Sequence, residues 1–189
     1  MTMRETSPNS ALREPPLETK RLLLRAFTLE DATQVRELAS AREVAATTLN
    51  IPHPYDTSDA ETWIASHPGS FQAGEAVHFA ITRKQEGDLI GAVGLQIQAV
   101  HRRAELGYWI GVPYWNQGYC SEAAAAVVRF GFEELGLHRV FAHHFSSNPA
   151  SGRVMHKVGM LHEGRLHEHV LKWDAFHDLE IYGLTREDM

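Results

Sequence analysis

Tyr114-Trp115-Asn116-Gln117-Gly118-Tyr119-Cys120-Ser121-Glu122-Ala123 is the stretch whose reading decides the fold. An alternating run ends just before it, a glycine interrupts it, and a helix-forming run follows with Ser121 near the expected cap. Backbone N–H groups at such a junction have no intrahelical partner, and the helix dipole adds positive potential. Together they suit an anion such as a diphosphate. Gly118 lets the main chain approach a ligand because no Cβ intervenes. The alanines at 123–126 keep the following helix slim enough to pack tightly beneath the loop. An ordinary capped helix after a turn would read the same way, so the residues alone leave both open. A Walker loop is excluded because no Gly-Lys-Ser/Thr follows, and no G-x-G-x-x-G is present.

Working outward, residues 77–82, 89–98 and 103–110 are strand candidates, with turn signals at Glu86-Gly87-Asp88 and near His101. Gly91 and Gly94 suggest a bend or a close backbone approach. The helix over 121–134 is ended by Gly136. A short strand over 140–145 follows, then a helix opened by Asn148-Pro149 and stopped at Gly159. Two last strands, about 160–170 and 177–184, flank a turn at Lys172-Trp173-Asp174. Toward the other end, residues 21–26 read as a first strand. Thr28-Leu29-Glu30-Asp31 has capping-box spacing ahead of a helix to about Ala39. Ser58 with Glu61 offers a second capping box, opening a helix that carries Trp63 and Ile64. Between them, Ile51-Pro52-His53-Pro54-Tyr55 is expected to be a loop. This order specifies one α/β (mixed α+β) domain, residues 17–189, around a mixed sheet.

The whole-chain properties narrow the function. The 189 residues are 43% hydrophobic and 22% charged, as in a soluble folded protein. No apolar run approaches the roughly 20 residues of a membrane helix. Residues 1–16, proline-bearing and polar, read as a mobile tail without the apolar segment of a secretory signal. The single cysteine, Cys120, excludes an intramolecular disulfide and fits the cytoplasm. A net charge of -6 argues against nonspecific nucleic-acid binding and is compatible with an amine-bearing partner.

Two segments, Ala104-Glu105-Leu106-Gly107-Tyr108-Trp109-Ile110 and the quoted loop, together resemble the central motif of the GNAT superfamily. They look most like its RimJ/RimL-type ribosomal-protein N-acetyltransferase branch. Further matches are Leu17-Glu18-Thr19-Lys20-Arg21-Leu22, Asn148-Pro149-Ala150-Ser151, Lys157-Val158-Gly159-Met160, Glu163-Gly164 and Asp178-Leu179-Glu180-Ile181-Tyr182. The resemblance implies a mostly antiparallel sheet splayed open between its fourth and fifth strands, flanked by helices, with acetyl-CoA in the splay. It implies main-chain bonds from Ile110, Gly111 and Val112 to the pantetheine arm. It further implies amides from Gln117, Gly118, Tyr119, Cys120, Ser121 and Glu122 at the pyrophosphate, with Asn148 and Ser151 beside the thiol. Trp115 and Cys120 depart from the signature Gln/Arg-x-x-Gly-x-Gly/Ala, and Cys120 is expected to crowd the phosphates slightly.

Acetyl transfer to an amine needs a base for the amine proton, donors for the oxyanion and a proton for the departing thiolate. Glu105 is the expected base, being on the strand beside the cofactor; its bland reading is a solvated strand residue or an ion-pair partner for Arg102 or Arg103. Alternation puts Glu105, Gly107 and Trp109 on one face, with Leu106, Tyr108 and Ile110 on the other. Ser151 is the expected proton donor, against the reading of a commonplace first-turn hydroxyl. Glu168 is a reserve base. Cys120 at a helix start is not taken as a nucleophile, because the resemblance implies direct transfer. His143-His144 and His167-x-His169 have spacings a metal could use, but nothing completes a set, and no metal is expected. The acceptor pocket is expected from the first helices and the last strands, with Pro52, His53, Pro54, Trp63 and His67 contributing. Tyr182, Trp109 and Phe145 read as core aromatics, one of which could line it. The expected acceptor is a protein N-terminal amine, with a small-molecule amine or a noncatalytic acyl-CoA-binding role as alternatives. A second copy of the chain is admitted as a partner but not specified.

Overall fold

The computed structural model describes residues 14–189; the tail read over 1–16 lies, through residue 13, outside the described residues. The chain enters through two short strands, β1 (Leu17–Glu18) and β2 (Leu22–Arg25). Thr28 then caps a 3-10 turn (Leu29–Asp31) through the expected box, its N–H bonding Asp31 Oδ2 at 2.8 Å. That turn runs into α1 (Ala32–Ala39). A six-residue helix, α2 (Arg42–Thr47), was not expected; its cap is Ala41, which offers no side-chain acceptor to announce it. The next helix, α3 (Thr57–Gln72), starts earlier than Ser58 and Glu61 suggest. Asp56 and Asp59 form its capping box, and Asp59 accepts the Asp56 N–H at 2.8 Å.

Three long strands follow as expected: β3 (Ala76–Arg83), β4 (Leu89–Gln98) and β5 (Arg103–Ile110). Gly91 is a close-approach position, since a Cβ there would run into the Trp109 carbonyl oxygen. Beyond β5 come α4 (Tyr119–Glu133), β6 (Arg139–Phe145) and α5 (Pro149–Lys157), the last capped by Asn148. A long hairpin, β7 (Leu161–Lys172) and β8 (Ala175–Thr185), closes the sheet through a turn with Trp173 and Asp174 at positive φ. Among the described residues no helix is long and apolar enough to cross a membrane.

The sheet order is β1-β2-β3-β4-β5-β6-β8-β7, antiparallel throughout except where β5 meets β6. That parallel pairing covers only Arg103↔Arg139, Ala104↔Val140 and Glu105↔Phe141. From Leu106 onward the two strands diverge, and the sheet opens as a wedge. Each face of the sheet carries its own core. Phe79, Leu95, Leu106 and Val140 pack with Phe130 and Val127 of α4, Phe79 and Phe130 meeting edge to face at 5.8 Å. Ala123 and Ala124 are fully buried, so α4 lies close beneath the strands. The opposite face packs Ala80 and Leu89 against Val35 of α1 and Ile64 of α3.

Beside that second core lies an imidazole pair. His67 of α3 stacks on His78 of β3 at 4.3 Å and meets Trp63 and Phe27 edge-on. Among the described residues neither ring nitrogen of His67 has a hydrogen-bond partner. Burial lowers the pKa of His67 to about 3, helped by repulsion from His78, and burial lowers that of His78 to about 4. Imidazoles of an unfolded chain titrate near 6.5, so in this window the unfolded state binds more protons and stability rises with pH. The contribution is complete above about pH 6.5 and is lost as pH falls toward the folded-state values. The urea midpoint should therefore drop between pH 7 and pH 5. His67→Phe, which keeps the ring contacts, should flatten that drop; an unchanged slope would refute the pair as its source.

Candidate active site

The loop at the wedge mouth is built by three ties. The Trp115 indole N–H donates to the Ile110 carbonyl at 2.6 Å, folding the loop back onto the end of β5. Gly118, at φ 80, is the N-cap of α4; the helix thus begins before Ser121, which falls in the first turn. The first intrahelical bond runs from Glu122 N–H to the Gly118 carbonyl at 3.1 Å. The four amides from Gly118 to Ser121 thus precede the ladder, as an anion site requires. Glu122 differs: its amide is in the ladder, and its carboxylate turns aside to the Thr19 hydroxyl (2.6 Å), Arg21 N–H (2.8 Å) and Arg21 Nε (2.7 Å). Burial works to raise the Glu122 pKa, but these donors hold it below the usual carboxylate range.

Arg21 is a residue the sequence pattern read only as a strand end. Its guanidinium donates to the Gln117 carbonyl at 2.9 Å and lies 4.4 Å from the centre of the Tyr119 ring. Cys120 does not crowd the loop: its side chain packs against the core, and burial pushes its thiol up to about 12. A thiol so protonated at neutral pH is no nucleophile. Along β5, the Gly111 N–H is taken by the Ile90 carbonyl and the Val112 carbonyl by Trp115 N–H. The edge of β5 beyond Glu105 has no β6 ladder, leaving main-chain polar groups there for another partner.

A cleft of about 550 Å³ opens along this edge, lined by Glu105, Tyr108, Trp109, His143, Ser151 and Trp63 among others. Glu105 sits at the crotch, on the last parallel pair. Its Oε1 is 3.2 Å from Nδ1 of His143 on the other arm, so its partner is neither Arg102 nor Arg103. Those arginines reach the Gly136 carbonyl and the Gln98 side chain. On the opposite face of β5, the Tyr108 hydroxyl is 2.9 Å from Ser151 Oγ and donates to the Ser151 carbonyl at 3.1 Å. Burial raises the Tyr108 pKa, keeping it a neutral phenol. Asn148 Oδ1 accepts the Ser151 N–H at 3.4 Å, tying that serine to the helix cap. The cleft thus places a carboxylate on one side of a strand edge and a hydroxyl pair on the other.

The remaining expectations divide. Pro52, Trp63, Trp109 and Phe145 line the cleft; His53, Pro54, His67 and Tyr182 do not. The last two strands contribute no lining residue, and β6 supplies that wall through His143, His144 and Phe145. Glu168 lies at an irregularity in β7 at φ 44, exposed and away from the cleft. His144 Nδ1 bonds the Phe145 carbonyl at 2.8 Å, and His167 pairs with Asp178.

Residues 21–161 match the family model described as Acetyltransferase (GNAT) domain. The chain belongs to the GNAT acetyltransferase family. A relative from Bacillus subtilis (strain 168), the uncharacterized N-acetyltransferase YoaA, is 33% identical over 91% of this chain and 97% of its own. The ribosomal-protein-serine acetyltransferase of Escherichia coli (strain K12) is 30% identical over 59% of this chain and 62% of its own. A GNAT-family acetyltransferase from Bacillus anthracis superposes with a TM-score of 0.82 at 27% identity, covering 92% of this chain and 99% of that one. The GNAT fold is thus established, and the chain is an acetyl-CoA-dependent N-acetyltransferase.

The unladdered amides at 118–121, the Arg21 guanidinium and the open β5 edge fit a diphosphate-bearing pantetheine cofactor. Gly118→Asp adds a Cβ at positive φ and a negative charge at that loop. Acetyl-CoA affinity should fall by about tenfold or more, about 1.4 kcal/mol per tenfold, measured by calorimetric titration. Retained affinity would remove the diphosphate from this loop.

Proposed function

We propose that the chain transfers the acetyl group of acetyl-CoA directly to a primary amine at the N terminus of a protein, of the ribosomal-protein kind. Glu105 at the wedge crotch carries this reading: a half-exposed carboxylate with one oxygen engaged by His143, facing the cleft. Acetyl-CoA supplies the activated acyl group. Glu105 accepts the proton of the incoming ammonium, giving the neutral amine that can attack. Attack of the amine forms the C–N bond. As the C–S bond breaks, the Ser151 hydroxyl, held in place by Tyr108, gives its proton to the departing thiolate. It is reprotonated by the second proton released from the acylated nitrogen.

The lining of the cleft bears on the acceptor. Among the described residues it holds Asp59 and Glu105 and no lysine or arginine. A peptide N terminus brings an ammonium whose neighbouring carbonyl is an uncharged amide. A free amino acid adds a carboxylate for which the lining offers no permanent cation, a costly arrangement in a partly dry cleft. The Escherichia coli relative named for ribosomal-protein-serine acetylation supports the same class. A cytoplasmic setting belongs to this reading.

Thiol release from acetyl-CoA with a panel of N-terminal peptides, polyamines, antibiotics and amino acids is the direct test. Peptides with a free N terminus should turn over, and free amino acids should not. Turnover confined to small amines would replace this acceptor class. Glu105→Gln should lower kcat by roughly 10²–10⁴ with acetyl-CoA binding retained. Unchanged activity across pH would remove Glu105 as the base.

A further inference from the structure

Lys172, the last residue of β7, is almost fully buried, with 8% of its surface exposed. Its ammonium donates to three main-chain carbonyls on a segment far away in sequence: Thr48 at 2.5 Å, Leu49 at 3.1 Å and Ile51 at 2.9 Å. An ammonium has three N–H donors, so this set satisfies it completely. The Thr48 carbonyl also belongs to the C-cap of α2, where the helix dipole favours a cation. Next to it, the Trp173 ring lies 5.3 Å from Lys172 Nζ, 5.6 Å from the Arg42 guanidinium and 6.2 Å from His53. The tip of the β7–β8 hairpin is therefore packed along residues 42–53.

Those carbonyls belong to a wall of the cleft. Thr47, Thr48, Leu49, Asn50, Ile51 and Pro52 all line it, as do His143, His144 and Phe145 of β6. At its crotch the wedge is held by three strand pairs and the Glu105–His143 contact. Lys172 joins the two arms away from that crotch, because β7 belongs to the β6 arm while Ile51 of the 48–51 segment packs on the core that Ala80 of β3 and Leu89 of β4 share with α1 and α3.

We propose that Lys172 is a positioning residue for the acceptor, clasping the 48–51 wall to the β7–β8 hairpin and so fixing the width of the acceptor side of the cleft. This rests on the transfer reading above, since it takes the cleft to receive the amine. The phosphate loop and the β5 edge lie elsewhere, so the clasp governs acceptor binding and leaves acetyl-CoA binding to them. The geometry also demands lysine. Arginine keeps the charge, but its planar fork cannot aim three donors at three converging carbonyls. Methionine keeps an unbranched stem and removes every donor.

The test is steady-state kinetics of Lys172→Met and Lys172→Arg, with the best peptide or amine of the panel and with acetyl-CoA varied separately. Acceptor KM should rise about tenfold in Lys172→Met, the scale of losing hydrogen bonds to a charged group. The KM for acetyl-CoA should stay within about twofold, and Lys172→Arg should fall between wild type and Lys172→Met. General loosening of the fold would instead raise both constants together and lower Tm with and without acetyl-CoA. If Lys172→Met does not fold, Lys172→Arg carries the same comparison. An unchanged acceptor KM, or parallel rises in both constants, overturns the clasp while leaving acetyl transfer standing. Absence of thiol release by the wild-type protein with any acceptor overturns the transfer reading, and the clasp with it.

Discussion

Three parallel residue pairs hold β5 to β6, and the place where that pairing stops decides what the protein can do. A sheet interrupted in its middle leaves main-chain donors and acceptors without a ladder, which costs free energy unless a partner completes them. Here the interruption is stabilised from both faces. Alpha-helix α4 packs under the unbroken part through its buried alanines, and α5 brings Ser151 to Tyr108 across the gap. The same opening that exposes the β5 edge therefore admits a long thin ligand with amide groups of its own. Binding and fold share one device.

Electrostatics at the two ends of the opening differ in sign. At the loop end, unladdered amides and Arg21 make a positive environment, and the nearby Glu122 carboxylate is drawn sideways by Thr19 and Arg21. At the crotch and beyond it, Glu105 and Asp59 face the cleft, whose lining among the described residues holds histidines but no lysine or arginine. A polyanion and an amine approaching from these two ends each meet a complementary field.

Much of this could be read from the chain, and the reason is periodicity. Strand β5 alternates cleanly, so Glu105 and Tyr108 fall on opposite faces by counting, and the structure has them there. Asn148-Pro149 encodes a helix start in two residues. Local signals failed where competing ones stood close by: Asp56 and Asp59 outcompete Ser58 and Glu61 as a capping box, and Gly118 caps α4 three residues ahead of Ser121. Helix α2 has six residues and no polar cap, so it has no pattern to detect. The partners of the site residues were illegible for a different reason. Glu105 with His143, Ser151 with Tyr108, and Lys172 with the carbonyls at 48, 49 and 51 are contacts between elements remote in sequence. Only the packed sheet brings them together.

The Glu105–His143 contact has a mechanical side. Its two residues belong to opposite arms of the wedge, joined at the last rung before the strands part. A small pivot of one arm on the other could preserve every hydrogen bond within each arm and still alter this one. The angle between the arms is then a variable that this contact senses directly, so anything seated deep in the opening, by propping it wider or letting it narrow, stretches or shortens that side-chain link across the crotch.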